Sequence, residues 1–309
     1  MNLRSSPLLG YASTVAGISM MATVEVAAKL IQGAVTPYQI NFFRTLLGCL
    51  LLFTMILILG GGLRGFVGRN LTRIILMALA WNVLGLNLYF LAITWTPASH
   101  AALIFSANPI VASVLAVMVL REDLTLPKVI GALTGLAGVA AVITGFNPGF
   151  LGSGTFYGDL LMAVPLTLWC IYLVWGISWT SGGDNGGVKR RNPRLKDQLN
   201  YLCSTFTFGL LFLTPIFALD ASRNPIRLNL DTVGCLIYLG LVTNGIAYIL
   251  YFWGVSRVEV SKGTMAFFLK PVVASILSHL ILGEDISSRG FIVGAGLVSL
   301  GLIIASRSS

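Results

Sequence analysis

Ten apolar runs, each close to the length of a bilayer crossing, follow one another along this chain with polar breaks between them. A helix that crosses a membrane needs about 20 predominantly apolar residues. The runs are Leu8–Ile31, Pro37–Gly60, Ile74–Ile93, Ser99–Leu120, Leu126–Phe146, Tyr157–Ile177, Leu199–Leu219, Val233–Val255, Val260–Leu282 and Gly290–Ala305. A lipid-exposed backbone must satisfy its hydrogen bonds within its own segment, so each run is expected to be helical. A β-barrel would need short alternating strands, and these runs are continuous. The expected fold is an all-α integral membrane protein with ten transmembrane helices. Composition agrees: 56% of the 309 residues are hydrophobic and 10% charged, against about 25% charged in a typical soluble domain. A soluble enzyme, a disordered chain and a disulfide scaffold are thereby excluded. Cys49, Cys170, Cys203 and Cys235 all lie in apolar runs and form no CxxC-type pair. They are expected to be small buried hydrophobes, with no metal site and no disulfide framework. The first run is too long for a signal-peptide core and has no A-x-A-like site, so it is expected to stay as a span.

The 20 Lys+Arg against 11 Asp+Glu give a net charge of +9. In a soluble protein that excess would suggest nucleic acid; in a membrane protein it reports which loops face the cytoplasm. With the N-terminus inside, fourteen basic residues fall in cytoplasmic segments: Arg4, Arg64, Arg69, Arg73, Arg121, Lys128, Lys189, Arg190, Arg191, Arg194, Lys196, Arg257, Lys262 and Arg307. The outer loops hold three, Arg223, Arg227 and Arg289, and Lys29, Arg44 and Lys270 lie within spans. This bias places both termini in the cytoplasm. The polar stretch 179–198 between the sixth and seventh spans is expected to be a cytoplasmic loop.

A shift of 162 residues lays Asn82–Asp123 on Asn244–Asp285 without a gap, with 14 of 42 positions identical. The matches include Asn82/Asn244, Tyr89/Tyr251, Phe105/Phe267, Pro109/Pro271, Ser113/Ser275 and Glu122/Glu284. Apolar composition alone does not produce N…LYF…P-x-V-A-S…ED in register. The expected organisation is therefore two five-helix repeats, 1–147 and 148–309. Five is odd, so the second must enter the membrane from the opposite side. Inverted repeats rocking about a central site are the architecture of secondary transporters.

The segments AAKL (Ala27–Leu30), P-x-x-x-x-F-x-R (Pro37 to Arg44), ANPIVASVLAVMVLRED (Ala107–Asp123) and LKPVVASILSHLILGED (Leu269–Asp285) carry a resemblance that runs through both halves. They resemble the EamA family of the drug/metabolite transporter superfamily. The resemblance implies ten helices, cytoplasmic termini, and export or exchange of small metabolites such as amino acids. The chain departs from many members at Met20-Met21, where they carry Trp-Gly, so no individual member's substrate is carried over.

Four ionisable residues are embedded. Glu25 lies about 8 Å from the midplane by the rise of a helix. An acid at that depth must be paired, protonated or wet. Lys29, four residues on, is a possible structural partner in the favourable order. The functional alternative has Glu25 titrating or binding a substrate cation. Lys270, near the middle of the ninth span, is a candidate for binding a carboxylate or phosphate, with its repeat mate Asn108 supplying neutral hydrogen bonds; the alternative is a lysine neutralised by Glu25 or capping freed carbonyls. Both precede a proline, which frees a carbonyl and kinks a helix. Arg44 either snorkels to the interface or attracts an anion. Asn82, Asn244 and Tyr89 are repeat-matched polar residues that serve either substrate or helix–helix contact. Trp169, Tyr172 and Tyr248 fall mid-span, as cavity lining or core. His100 and His279 stand apart in sequence, and Gly131-x-x-x-Gly135 points to close helix packing.

No G-x-x-x-x-G-K-[ST], H-E-x-x-H or paired intramembrane aspartates occur, so neither an ATP-driven motor nor a familiar intramembrane protease is expected. No cofactor is expected. The functional expectation is a secondary carrier, not an enzyme, moving an amino acid or other carboxylate-bearing metabolite by alternating access, as exporter or exchanger. Alternatives are an antiporter of phosphorylated metabolites or nucleotide-sugar-like compounds, a passive channel, and an intramembrane enzyme acting on a lipid-like substrate. Expected partners are a small-molecule substrate, membrane lipids, and a coupling proton or exchanged metabolite, with no nucleic acid and a monomer or weak homodimer. The expected location is the prokaryotic cytoplasmic membrane.

Overall fold

The computed structural model describes residues 7–59, 63–120, 125–146, 154–180, 195–258, 260–286 and 288–306. Eight of the described helices are long and apolar enough to cross a membrane. They are α1 (Leu8–Leu30), α2 (Pro37–Ile58), α3 (Asn70–Trp95), α4 (Ala98–Leu120), α6 (Phe156–Thr180), α7 (Leu195–Arg223), α8 (Leu230–Val255) and α9 (Thr264–Leu282). The other two, α5 (Leu126–Thr144) and α10 (Arg289–Ser306), have shorter apolar stretches, Val129–Gly138 and Arg289–Gly301. Of the residues used above for orientation, Arg4, Arg121, Lys189, Arg190, Arg191, Arg194 and Arg307 lie outside the described residues, as do Glu122, Asp123 and most of the 179–198 loop.

Local chemistry sets several helix ends. Thr36 starts α2 with a reciprocal cap: Gln39 N donates to Thr36 Oγ1 at 3.2 Å, and Thr36 N donates to Gln39 Oε1 at 3.0 Å. Such a box satisfies two of the donors that a helix start leaves orphaned. Asn229 caps α8 through Thr232 N at 2.7 Å. Gly283 stops α9 in the left-handed region, φ 68°, which a residue without Cβ adopts freely.

Five helices break their α geometry inside the bundle. α1 is interrupted at residues 22–23, and α4 at 106–107, just before Asn108-Pro109. α9 begins with a 3₁₀ stretch, Thr264–Phe268, just before Lys270-Pro271. The breaks in α4 and α9 sit where the two prolines deny the helix a donor. α3 and α8 widen into π geometry over Ala78–Gly85 and Tyr238–Ile246, which overlap under the 162-residue shift.

The bundle pairs α1 with α8, α2 with α7, α4 with α6 and α5 with α10. The α5–α10 seam is a glycine contact: a Cβ on Gly138 would lie 2.7 Å from Gly294 O, and one on Gly301 2.5 Å from Gly131 O. Gly131 and Gly135 thus face a partner backbone, as the spacing leads one to expect. Outward faces carry exposed Leu, Ile and Val, such as Leu133, Leu211 and Ile292. Buried aromatics gather instead on α3, α4, α6, α7, α8 and α9.

Candidate functional site

α1, α3 and α9 bring three chemically reactive side chains to one buried point. Lys270 Nζ lies 2.5 Å from Glu25 Oε1, with the two side chains 3% and 0% exposed. Tyr89 Oη donates to the same Glu25 oxygen at 2.6 Å and accepts from Lys270 Nζ at 3.3 Å. Lys270 also sits over the Phe105 ring, 4.5 Å from its centroid, a cation–π contact that partly replaces lost hydration. The acid and lysine therefore neutralise each other in a region where an isolated charge would be expensive.

Arg44 on α2 is different. It is 3% exposed, so it has not snorkelled to an interface. Its guanidinium lies 5.5 Å from the Phe90 ring and 5.7 Å from the Tyr248 ring. Nε and Nη1 have no hydrogen-bond partner. Among the described residues no carboxylate lies within ion-pair distance of it. Glu25, Lys270 and Arg44 together leave the centre one formal positive charge in excess.

These groups surround a void of about 30 Å³ lined by Met21, Val24, Arg44, Trp81, Leu86, Tyr89, Phe105, Trp169, Tyr248, Phe267 and Lys270. α1, α3, α4, α6, α8 and α9 all contribute to the lining, and α2 joins through Arg44. Trp81 Nε1 donates to Tyr248 Oη at 3.2 Å, and the Trp81 and Trp169 rings are 5.0 Å apart. A ligand pocket typically holds about 300–1,000 Å³, so the centre is collapsed to the size of about one water. Helices must separate before a metabolite fits.

The remaining sequence candidates divide. Tyr172 stands behind the lining, bonded to Thr205 Oγ1 at 2.8 Å. Asn82 Nδ2 donates across to Thr205 O on α7 at 3.1 Å, and Asn244 Nδ2 donates across to Arg44 O on α2 at 3.1 Å. The matched asparagines therefore join helix to helix, as polar residues within bundles commonly do. Asn108 is fully buried near Cys170, whose Sγ points at its carbonyl oxygen at 3.6 Å.

Of the two lysines open to Glu25 in the sequence, the packing gives it the more distant one. Glu25 turns to Lys270 and not to Lys29, whose Nζ lies 3.9 Å from Glu284 Oε1. Lys29 is one residue from the end of α1 and reaches that end of the bundle, staying 20% exposed. A long ammonium side chain keeps its head partly hydrated there, while Glu25 is left facing inward.

Sequence reasoning also missed Trp81, Phe105 and Phe267. Phe105 and Phe267 were visible as an identical pair under the 162-residue shift, and Trp81 adjoins the matched Asn82. A repeated aromatic in a bundle is a signal that helical hydrophobicity alone conceals.

The end where α1, α3, α7 and α9 finish, here the distal end, is tied shut in several places. Glu284 accepts from Ala98 N at 2.7 Å, Ser99 N at 3.1 Å and Ser99 Oγ at 2.9 Å. It caps the start of α4, where a carboxylate suits the helix dipole. Thr96 Oγ1 donates to the buried Asp159, and His100 Nδ1 lies 3.3 Å from the other oxygen of that acid. Thr36 Oγ1 donates to Asp220 Oδ2 at 2.6 Å. A cavity of about 380 Å³ opens beside these ties, lined by Gln32, Thr36, Thr94, Asn224 and Arg227 among others. Among the described residues no group of three or more His, Cys, Asp or Glu could hold a metal ion.

Residues 8–144 and again 157–307 match the model of the EamA-like transporter family. An uncharacterized transporter of Clostridium kluyveri is 24% identical over 97% of this chain and 94% of its own. One from Bacillus subtilis is 24% identical over 90% of this chain and 87% of its own. A probable terminal-alkyne amino-acid exporter of Streptantibioticus cattleyicolor is 23% identical over 78% of this chain and 76% of its own. A crystal structure superimposes with TM-score 0.70 at 20% identity, covering 98% of both chains, and shares the fold.

Proposed function

Because the chain belongs to the EamA-like transporter family, we propose that it is a secondary carrier for a small carboxylate-bearing metabolite, amino acids included. The observation that carries the proposal is Arg44, a buried guanidinium with two free donors on the wall of the central void. Lys270 is neutralised by Glu25, so Arg44 supplies the excess positive charge that a carboxylate would balance. Guanidinium also matches a carboxylate in a planar, bidentate way. The substrate-binding set is Arg44, Lys270, Tyr89, Trp169 and Tyr248, with Glu25 as the switchable counter-ion of Lys270. The Asn82, Asn244 and Tyr172 side chains support this set from behind.

The carrier works by alternating access. Ten membrane-spanning helices form two inverted five-helix units, 1–147 and 148–309, in the cytoplasmic membrane of a prokaryote. Both termini are cytoplasmic, so the distal end is outer. The distal ties make the described conformation closed outward. The name of the Streptantibioticus relative supports export of an amino acid, and the sparse charge of the centre supports a small substrate over a multiply charged one.

Counterflow of labelled amino acids and other carboxylates in proteoliposomes tests this. Wild-type protein should show saturable counterflow that Arg44→Gln abolishes while the variant still folds in detergent. Undiminished counterflow by Arg44→Gln would overturn the proposal. Non-saturating flux would make the protein a channel.

A further inference from the structure

Under the 162-residue shift the Tyr89–Lys270 part of the charged cluster has an uncharged counterpart. The 162-residue shift takes Tyr89 to Tyr251 and Lys270 back to Asn108. The charged cluster is bonded within itself, whereas its counterpart is not. Asn108 is 0% exposed and neither Nδ2 nor Oδ1 has a hydrogen-bond partner. The Tyr251 hydroxyl, on an equally buried side chain, has none either. Nor has Trp169 Nε1, on the ring that lines the central void.

The three come from α4, α6 and α8 and meet around one turn of α6. Cys170 Sγ lies 3.6 Å from Asn108 O, and the Trp169 and Tyr251 rings are 5.9 Å apart. Buried polar groups in folded proteins are bonded with few exceptions, and an exception points to water or a ligand. The three unmatched groups come from three helices beside one turn of α6, and one of them, Trp169, is on the wall of the central void. Together they offer two amide donors and an acceptor, an indole donor, and a hydroxyl that does either.

We propose that Asn108, Tyr251 and Trp169 form a second, neutral subsite that hydrogen-bonds an uncharged carboxamide group of the transported metabolite. This rests on the carrier reading above and adds what the substrate carries besides its carboxylate. A carboxamide satisfies donors and acceptor alike. A second carboxylate would be desolvated there without a cation. An alkyl chain would leave the three groups unmatched, and sites built to bond a polar group reject analogues that lack it.

Two matched series distinguish these cases: glutamine, glutamate and norvaline; and succinamate, succinate and butyrate. Binding is read from thermal shift of purified protein, and transport from counterflow. The amide of each series should bind and exchange best. The near-isosteric Asn108→Leu should weaken the amide by about tenfold, the order expected for a lost hydrogen bond to a buried group, and leave the alkyl member unimpaired. The empty Asn108→Leu protein should melt no lower than wild type, because a buried orphan has gone. Binding without amide preference, or an amide affinity untouched by the substitution, would overturn the subsite alone. A lower melting temperature for the empty variant would show that Asn108 has a partner, and would also overturn it. Failure of both series to bind would overturn the carboxylate-carrier reading on which it rests.

Discussion

At Lys270 two demands meet: a cation in a membrane interior must be compensated, and a binding site must keep charge available. Glu25 meets the first at 2.5 Å, and Arg44, with two free donors, meets the second. The arrangement makes Glu25 and Lys270 conditional on each other. Glu25→Gln strands a buried ammonium and should cost about 3–5 kcal/mol, the range for breaking a buried pair. Adding Lys270→Met should restore most of that loss, because removing both charges of such a pair is often neutral or stabilising. Thermal melts of the two single variants and the double variant in detergent measure the coupling. Equal destabilisation by the single and double variants would mean that the charges act separately. Glu25, Lys270 and Arg44 were all legible in the sequence, because an embedded charge stands out against apolar neighbours. Their pairing was open in the sequence between two lysines: Lys29, four residues from Glu25 on one helix, and Lys270, 245 positions away, and only packing decides for Lys270.

Among elements, the informative joints are those between the end of one helix and the start of another. Glu284 leaves α9 and caps α4 with three hydrogen bonds, and it holds Lys29 at the end of α1. Glu284→Ala should cost about 1.5–3 kcal/mol, the worth of hydrogen bonds to a charged group, less what water restores at this partly exposed site. It should also loosen the distal closure. A cysteine introduced at Ser99 should then label faster with a membrane-impermeant maleimide than in the Glu284 parent. Unchanged labelling would show that the cap is local to α4. The helices were legible as apolar runs, eight of which lie in helices long and apolar enough to cross a membrane, with ends that differ by up to about four residues. The breaks at residues 106–107 and before Lys270 were foreshadowed by Pro109 and Pro271. The π stretches of α3 and α8 were not foreshadowed, because Ala78–Gly85 and Tyr238–Ile246 contain no proline and their hydrophobicity fits a plain α-helix.

At the scale of the whole molecule, the two asparagines matched by the 162-residue shift each tie one helix to another. Asn82 bonds α3 to α7, and Asn244 bonds α8 to α2, so one shift relates both residues and the helix pairs they join. The fourteen-to-three distribution of basic residues predicts that both termini lie on the cytoplasmic face. Reporter fusions at the two ends, one active only in the cytoplasm and one only outside, should give the same cytoplasmic answer at each end. Opposite answers would require an odd number of crossings and would end the inverted five-plus-five scheme. What sequence could not supply was the state of the molecule. Nothing in the residues announces that the centre is closed down to about 30 Å³, because that volume depends on how helices lean together.

The π stretches of α3 and α8 have one more consequence, for insertions and deletions. A π turn is an α-helix carrying a surplus residue. Dropping one residue from Ala78–Gly85 returns α3 to plain α geometry with its two ends still facing their present neighbours. Tyr89 then keeps its aim at Glu25. Dropping one residue from Leu86–Tyr89, where the helix is already regular, turns everything beyond by about 100°, the step of an α-helix. Two neighbouring stretches of one helix thus differ sharply in the length change they tolerate, and α8 repeats that contrast at Tyr238–Ile246.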